Sequence, residues 1–204
     1  MAHITLDPFY LIVDRAAWLP RLLPQGVKLV QLRAKEMDEA ALRTEIATAR
    51  DYCERYGAQL VVNDHWKLAI EAGCDFVHLG QEDLEVADLP AIRRAGMRLG
   101  LSTHDEAELE TALACEPDYV ALGPVYPTIL KAMRWAPQGL ERITAWKARI
   151  GAVPLVAIGG LTIERAAGCF AAGADTVCAV TDVLLNADPE KRAREWIAAT
   201  RVAA

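Results

Sequence analysis

One pattern constrains this chain more than any other: a short apolar run followed by a longer segment with helical spacing, repeated from one end to the other. The runs are residues 9–13, 28–32, 59–62, 76–79, 98–101, 119–122, 154–158 and 176–180, eight in all. Nearly continuous hydrophobicity marks strands buried on both faces, as in a parallel sheet covered by helices; a half-exposed sheet would alternate polar with apolar. Between the runs, a helical segment opens at Asp38 and extends to about Tyr56, and another opens at Glu106. A third ends at Gly173, a residue suited to the position just past a helix terminus. Gly or Pro followed by Asp precedes three runs, at Asp75, Asp118 and Asp175, so one turn solution is reused. Eight strand-helix units in 204 residues predict a compact α/β fold, a single-domain (β/α)8 TIM barrel over residues 1–204. The rival, a doubly wound open sheet, would more often carry a Gly-rich loop after its first strand, where Asp14-Arg15 stands here.

Composition removes several classes of function. The chain is 53% hydrophobic, enough to exclude disorder. Lys+Arg 22 against Asp+Glu 28 gives a net charge of −6 with no basic block, which argues against nucleic-acid binding. Five widely spaced cysteines without a CxxC pair are expected to be free thiols in a reducing compartment. The N-terminal residues have no basic region of the secretory kind, and the longest uncharged stretch, 150–163, is too short for a bilayer. A soluble cytoplasmic protein with no membrane partner is expected; a homo-oligomer is compatible with this, but no interface is legible.

In a barrel of this kind chemistry belongs to the loops leaving the C-terminal ends of the strands. Gln31, Arg33 and Lys35 gather there, with Asn63 and Asp64, Gln81, Glu82 and Asp83, Ser102, Thr103 and His104, Thr128 and Lys131, Gly159-Gly160, and Thr181 with Asp182. No comparable set is expected at the opposite ends. Arg33, Lys35 and Lys131 suit a polyanion, because ionised hydrogen bonds are about twice as strong as neutral ones. Asp64 and Asp83 lie on neighbouring loops and would repel unless a cation sat between them, and few carboxylates beside a phosphate-bearing ligand is how Mg2+ is usually held. Gly159-Gly160 and Val180-Thr181 imply a second phosphate site built on backbone N–H groups. Two anion sites over one barrel mouth point to two phosphorylated substrates joined as pyrophosphate leaves.

Each of these residues also has a plainer explanation. Arg33 and Lys35 could be solvated surface charges, Asp64 could cap the helix after it, and the glycine pair could be only a tight turn. His78, inside an apolar run, reads as a hydrogen-bonded core residue; His65 and His104 lack a second ligand at metal spacing. Trp66, Trp135, Trp146 and Trp196 read as helix packing.

The stretches VQLRAK, VVNDH, FVHLGQEDL, GLSTHDEAE, DYVALGPVYPT with Lys131, PLVAIGG and TVCAVTD together resemble the thiamine-phosphate synthase family over almost the whole chain. The resemblance implies an enzyme, a transferase joining 4-amino-2-methyl-5-(diphosphooxymethyl)pyrimidine to a thiazole phosphate, with Mg2+, giving thiamine phosphate and pyrophosphate. It implies that Gln31, Arg33, Lys35, Asn63 and Lys131 hold the pyrimidine diphosphate and that Ser102 lines the same site. It also places Asp64 and Asp83 on Mg2+, and Thr128, Gly160, Val180 and Thr181 on the thiazole phosphate. The implied route is dissociative: pyrophosphate leaves first, and the thiazole nitrogen attacks a methylene cation. Arg33, Lys35, Lys131 and Ser102 then act as the catalytic set.

Two features depart from the family pattern. Leu130 stands where a Thr is usual, removing a phosphate contact worth about 1–2 kcal/mol if nothing replaces it, with Arg134 on the following loop as a substitute. Thr181 replaces a usual Ser and keeps the hydroxyl. Residues 132–139 are the place to look for a lid. Two alternatives remain: a thiazole tautomerase-like isomerase of the same superfamily, and a non-catalytic thiamine-phosphate binding protein. The first usually carries a His where Pro124 stands and lacks an acid at Asp64; the second predicts loss of the charged loop residues, all of which are present.

Overall fold

The computed structural model describes residues 4–128 and 135–203, with the side chains of 202 and 203 left aside. Its eight strands are β1 (Phe9–Val13), β2 (Leu29–Leu32), β3 (Gln59–Asn63), β4 (Phe76–Leu79), β5 (Arg98–Thr103), β6 (Tyr119–Leu122), β7 (Leu155–Ala157) and β8 (Thr176–Ala179). All pair in parallel in chain order, and β8 returns to β1, closing the barrel. Nearly every strand residue is buried, which is the physical content of the continuous apolar runs. Alternate side chains divide between two cores. Phe9, Leu11 and Val13 face the helices; Tyr10 and Ile12 face the barrel interior with Leu29, Val61, Phe76, Tyr119, Val156 and Cys178.

The helices are α1 (Leu19–Leu22), α2 (Glu39–Tyr56), α3 (Trp66–Glu71), α4 (Gln81–Val86), α5 (Leu89–Arg94), α6 (Glu106–Ala114), α7 (Gly139–Ile150), α8 (Ile163–Ala171), α9 (Thr181–Leu184) and α10 (Pro189–Ala203). The segment expected from Asp38 to Tyr56 is α2, with the Asp38 side chain accepting from Ala41 N at 2.8 Å as its N-cap. Trp146 and Trp196 are fully buried, as helix packing requires, and Trp196 stacks on Phe9 at 5.3 Å. All five cysteines are free; burial pushes Cys53 up to about 12 and Cys74 and Cys169 up to about 11, which leaves these three as inert thiols.

The repeated Asp turns lie at the N-terminal ends of the strands and work alike. Asp118 Oδ2 accepts from Leu99 N, and Asp175 Oδ2 from Leu155 N, each at 2.7 Å. Each carboxylate also meets a cation: Asp118 meets Arg93 at 3.3 Å, Asp175 meets Lys147 at 2.7 Å and Asp75 meets Arg98 at 2.5 Å. The expectation that this end lacks a polar set is therefore wrong. The set exists, but its charges are spent on one another.

Candidate active site

The opposite, C-terminal end opens into a cavity of about 580 Å³. Its wall includes Arg33, Lys35, Asn63, Asp64, Asp83, Ser102, Thr128, Gly160, Val180 and Thr181, so side chains spread from residue 33 to residue 181 converge on one mouth. Gln31 is different. It sits within β2, buried in the barrel interior below the mouth, where its Nε2 donates to the Tyr10 hydroxyl at 3.0 Å. Leu130, Lys131 and Arg134 lie outside the described residues.

On one side of the mouth, the end of β3 delivers Asn63 and, just past it, Asp64, and the first turn of α4 delivers Asp83. Asp64 takes a left-handed backbone conformation, φ 64°, and its NH bonds the His78 carbonyl at 2.9 Å. It does not cap α3: the N-cap is His65 and no side chain caps that end. Instead its carboxylate meets Lys35 Nζ at 3.7 Å and faces Asp83. Burial, and then the charge of Asp83, hold the Asp64 carboxyl above its ordinary value, while Lys35 pulls it down. Two acids opposed in a half-dry pocket form an electrostatic conflict that a cation would relieve. Among the described residues no group of three or more His, Cys, Asp or Glu could hold a metal unaided. The pair therefore fits an oxygen-loving cation completed by ligand oxygens and water, the Mg2+ pattern, rather than zinc.

On the other side, Gly159 and Gly160 take φ values of 100° and 64°. A Cβ on Gly160 would overlap the Pro127 carbonyl oxygen, so the loops after β6 and β7 approach as closely as backbone allows. Arg165 braces this edge, donating to the Gly160 carbonyl and lying 4.5 Å over the Tyr126 ring. Val180 and Thr181 complete it at the start of α9. Asp182 turns away, bonded to Arg192 at 2.8 Å and to Trp196 Nε1 at 2.6 Å.

The structure adds residues that sequence reasoning undervalued. Trp135 is not helix packing: it lines the mouth and stacks on His104 at 4.0 Å, while Glu108 holds His104 Nδ1 at 2.7 Å. His78 is buried and hydrogen-bonded as expected, but its ring also reaches the cavity and bonds Ser102 Oγ at 2.8 Å. Burial, reinforced by Arg33, pushes this imidazole down to about 4, so it is neutral at physiological pH.

A closed parallel barrel with two opposed acids and two cations on one side of its mouth, and a bare glycine-lined backbone on the other, defines an enzyme that handles phosphorylated small molecules. The family model described as thiamine monophosphate synthase matches residues 9–183, and the chain belongs to that family of transferases. It is 64% identical to the thiamine-phosphate synthase of Rhizobium etli over 195 residues, 96% of each chain. It is 46% identical to that of Cronobacter sakazakii over 192 residues, 94% of this chain and 88% of the relative. Among solved structures, the thiamine phosphate pyrophosphorylase of Pyrococcus furiosus superposes with a TM-score of 0.86 at 23% identity, covering 97% of this chain and 96% of that one, a likeness of fold.

Proposed function

We propose that the barrel mouth joins a pyrimidine methyl diphosphate to a thiazole phosphate, with Arg33, Lys35, Asn63, Ser102 and Lys131 holding the first and Thr128, Gly160, Val180 and Thr181 the second. Gln31, buried beneath the mouth and donating to the Tyr10 hydroxyl, does not line the cavity. The observation that carries this reading is the opposition of Asp64 and Asp83 beside Lys35 and Arg33, facing the glycine pair across one cavity. In the reaction the methylene C–O bond breaks and its electron pair leaves with pyrophosphate; the thiazole nitrogen's lone pair then forms the new N–C bond. No protein nucleophile or strong base is required, and the neutral His78 is consistent with that. Arg33 and Lys35 stabilise the departing anion through preorganised charge, and the second anion site keeps the thiazole at near-attack distance. Held by Asp64 and Asp83, Mg2+ would supply further charge neutralisation to the leaving group. At the strand-six loop, Pro124 lines the cavity, which leaves the isomerase alternative without its histidine.

The test is pyrophosphate release from the two substrates, with and without EDTA. Release that needs both substrates, stops with EDTA and returns on adding Mg2+ supports the proposal. Metal-independent aromatisation of the thiazole without pyrophosphate would replace it with the isomerase, and tight product binding without turnover with the binding protein.

A further inference from the structure

A line of hydrogen bonds crosses the barrel interior and surfaces at the mouth. Gln31 Nε2 donates to the Tyr10 hydroxyl at 3.0 Å, and the Tyr10 and Tyr119 hydroxyls lie 3.2 Å apart. The Tyr119 hydroxyl meets His78 Nδ1 at 2.7 Å, and His78 Nε2 meets Ser102 Oγ at 2.8 Å. Gln31, Tyr10, Tyr119 and His78 are buried, while Ser102 opens onto the cavity. The Tyr119 ring is tightly seated. It stacks on His78 with 14° between planes and meets Tyr10 and Phe76 edge-on. A Cβ on Gly100, in the middle of β5, would overlap this ring.

The direction of the line follows from the Gln31 amide, which turns its Nε2 and not its oxygen toward Tyr10, and from counting protons. Both phenols are buried, which holds their ionisation far above the ordinary value, so each keeps one proton. Gln31 already donates into the Tyr10 oxygen, so the Tyr10 proton turns to Tyr119. The Tyr119 oxygen then accepts, and its own proton goes to Nδ1. A bare Nδ1 puts the imidazole proton on Nε2, which donates to Ser102 Oγ. Reversing the line would aim both Gln31 and Tyr119 at the Tyr10 oxygen and leave the Tyr10 proton without an acceptor in the line, a costly arrangement for a buried donor. Ser102, having accepted, has its own proton free to turn into the mouth.

We infer that Tyr119 is a positioning residue: acting through the His78 ring, it makes the Ser102 hydroxyl a one-way donor into the cavity, aimed at an acceptor atom of the diphosphate-bearing substrate. The inference deepens the synthase reading and rests on it for the identity of the acceptor; the proton order itself does not.

The first experiment therefore needs no substrate. Long-range proton–nitrogen correlation on the 15N-histidine-labelled protein near neutral pH should show His78 with a proton on Nε2 and a bare Nδ1. The opposite tautomer, or a doubly protonated ring, overturns the inference. The second is a double-mutant cycle on kcat. Tyr119→Phe keeps the ring and should lower kcat about tenfold, with KM for the pyrimidine diphosphate little changed. In a Ser102→Ala background the same substitution should change kcat by less than about twofold, because its route of action is gone. An undiminished loss there means that Tyr119 serves structure alone and overturns the inference. If Tyr119→Phe fails to fold, the spectrum of the unaltered protein decides. A correct tautomer in a protein that releases no pyrophosphate would sink the synthase reading and spare the proton order.

Discussion

Both ends of the barrel hold a hollow of about 580 Å³, and the two treat charge in opposite ways. At the N-terminal end every aspartate of the repeated turns is matched: Asp75 with Arg98, Asp118 with Arg93 and a backbone NH, Asp175 with Lys147 and a backbone NH. Lys28, on the wall of that hollow, donates to the Tyr56 carbonyl at 2.9 Å. At the C-terminal end like charges are brought together, Asp64 against Asp83, and the backbone is bent into left-handed conformations at Asp64, Gly159 and Gly160. One end uses its charges to hold strands; the other keeps a conflict that a cation would relieve. Polar residues at strand ends do not by themselves mark a site.

The largest expected effect comes from removing the conflict. Asp64→Asn should cut pyrophosphate release about 10²–10³-fold while raising thermal stability by about 1 kcal/mol, since an amide there no longer opposes Asp83. Release assays and thermal unfolding of the same preparation check both halves, and near-wild-type turnover at saturating substrate would break the contrast. Next, Asp118→Asn should do the reverse. Stability should fall by about 1.5–3 kcal/mol, the worth of hydrogen bonds to a charged group, with turnover per folded molecule unchanged.

Gly160→Ala should weaken the second anion site, raising KM for the thiazole phosphate about tenfold with a smaller change in kcat, readable from steady-state kinetics.

Proton linkage sharpens the comparison further. A cation needs Asp64 and Asp83 deprotonated, and Asp64 is held above its ordinary value. The Mg2+ concentration for half-maximal release should therefore rise as pH falls, beginning at a higher pH than an ordinary carboxylate would give, as Mg2+ titrations at several pH values can show. The smallest effect concerns His78, whose folded value is pushed from 6.5 to about 4. As pH falls from 6.5 toward 4 the unfolded chain takes up a proton that the folded chain refuses, so stability drops across that window and is unaffected above it. His78→Gln should flatten the drop in a plot of melting temperature against pH.

Much of this was legible beforehand. The runs at 9–13, 76–79 and 119–122 match their strands residue for residue, because each is too short for a buried helix and is bounded by turn-forming residues: Pro8 and Asp14, Asp75 and Gly80, Asp118 and Gly123. Arg33 and Asp64 could be named as candidate site residues because each follows a strand directly, and Lys35 and Asp83 because they lie within a few residues of a strand's C-terminal end, which in a barrel places all four at the mouth. Tyr10 and Tyr119 could not be singled out. An aromatic inside an apolar run looks the same whether it packs against a helix or carries a hydroxyl across the interior, and only the hydrogen bonds made there distinguish them. Trp135 was misjudged for a related reason: its partner His104 is 31 residues earlier in the chain, and no local spacing links them.

The sequence alone determined the alternation of buried strand and covering helix, the closure of eight units into one barrel, and the end at which the candidate site residues would gather. These follow from hydrophobic period and chain connectivity, which are local properties. Only the tertiary structure decided which charges are neutralised and which are left opposed, and which way protons run through the interior. Those depend on distances of a few ångströms between residues far apart in the chain, and no pattern along the chain records them.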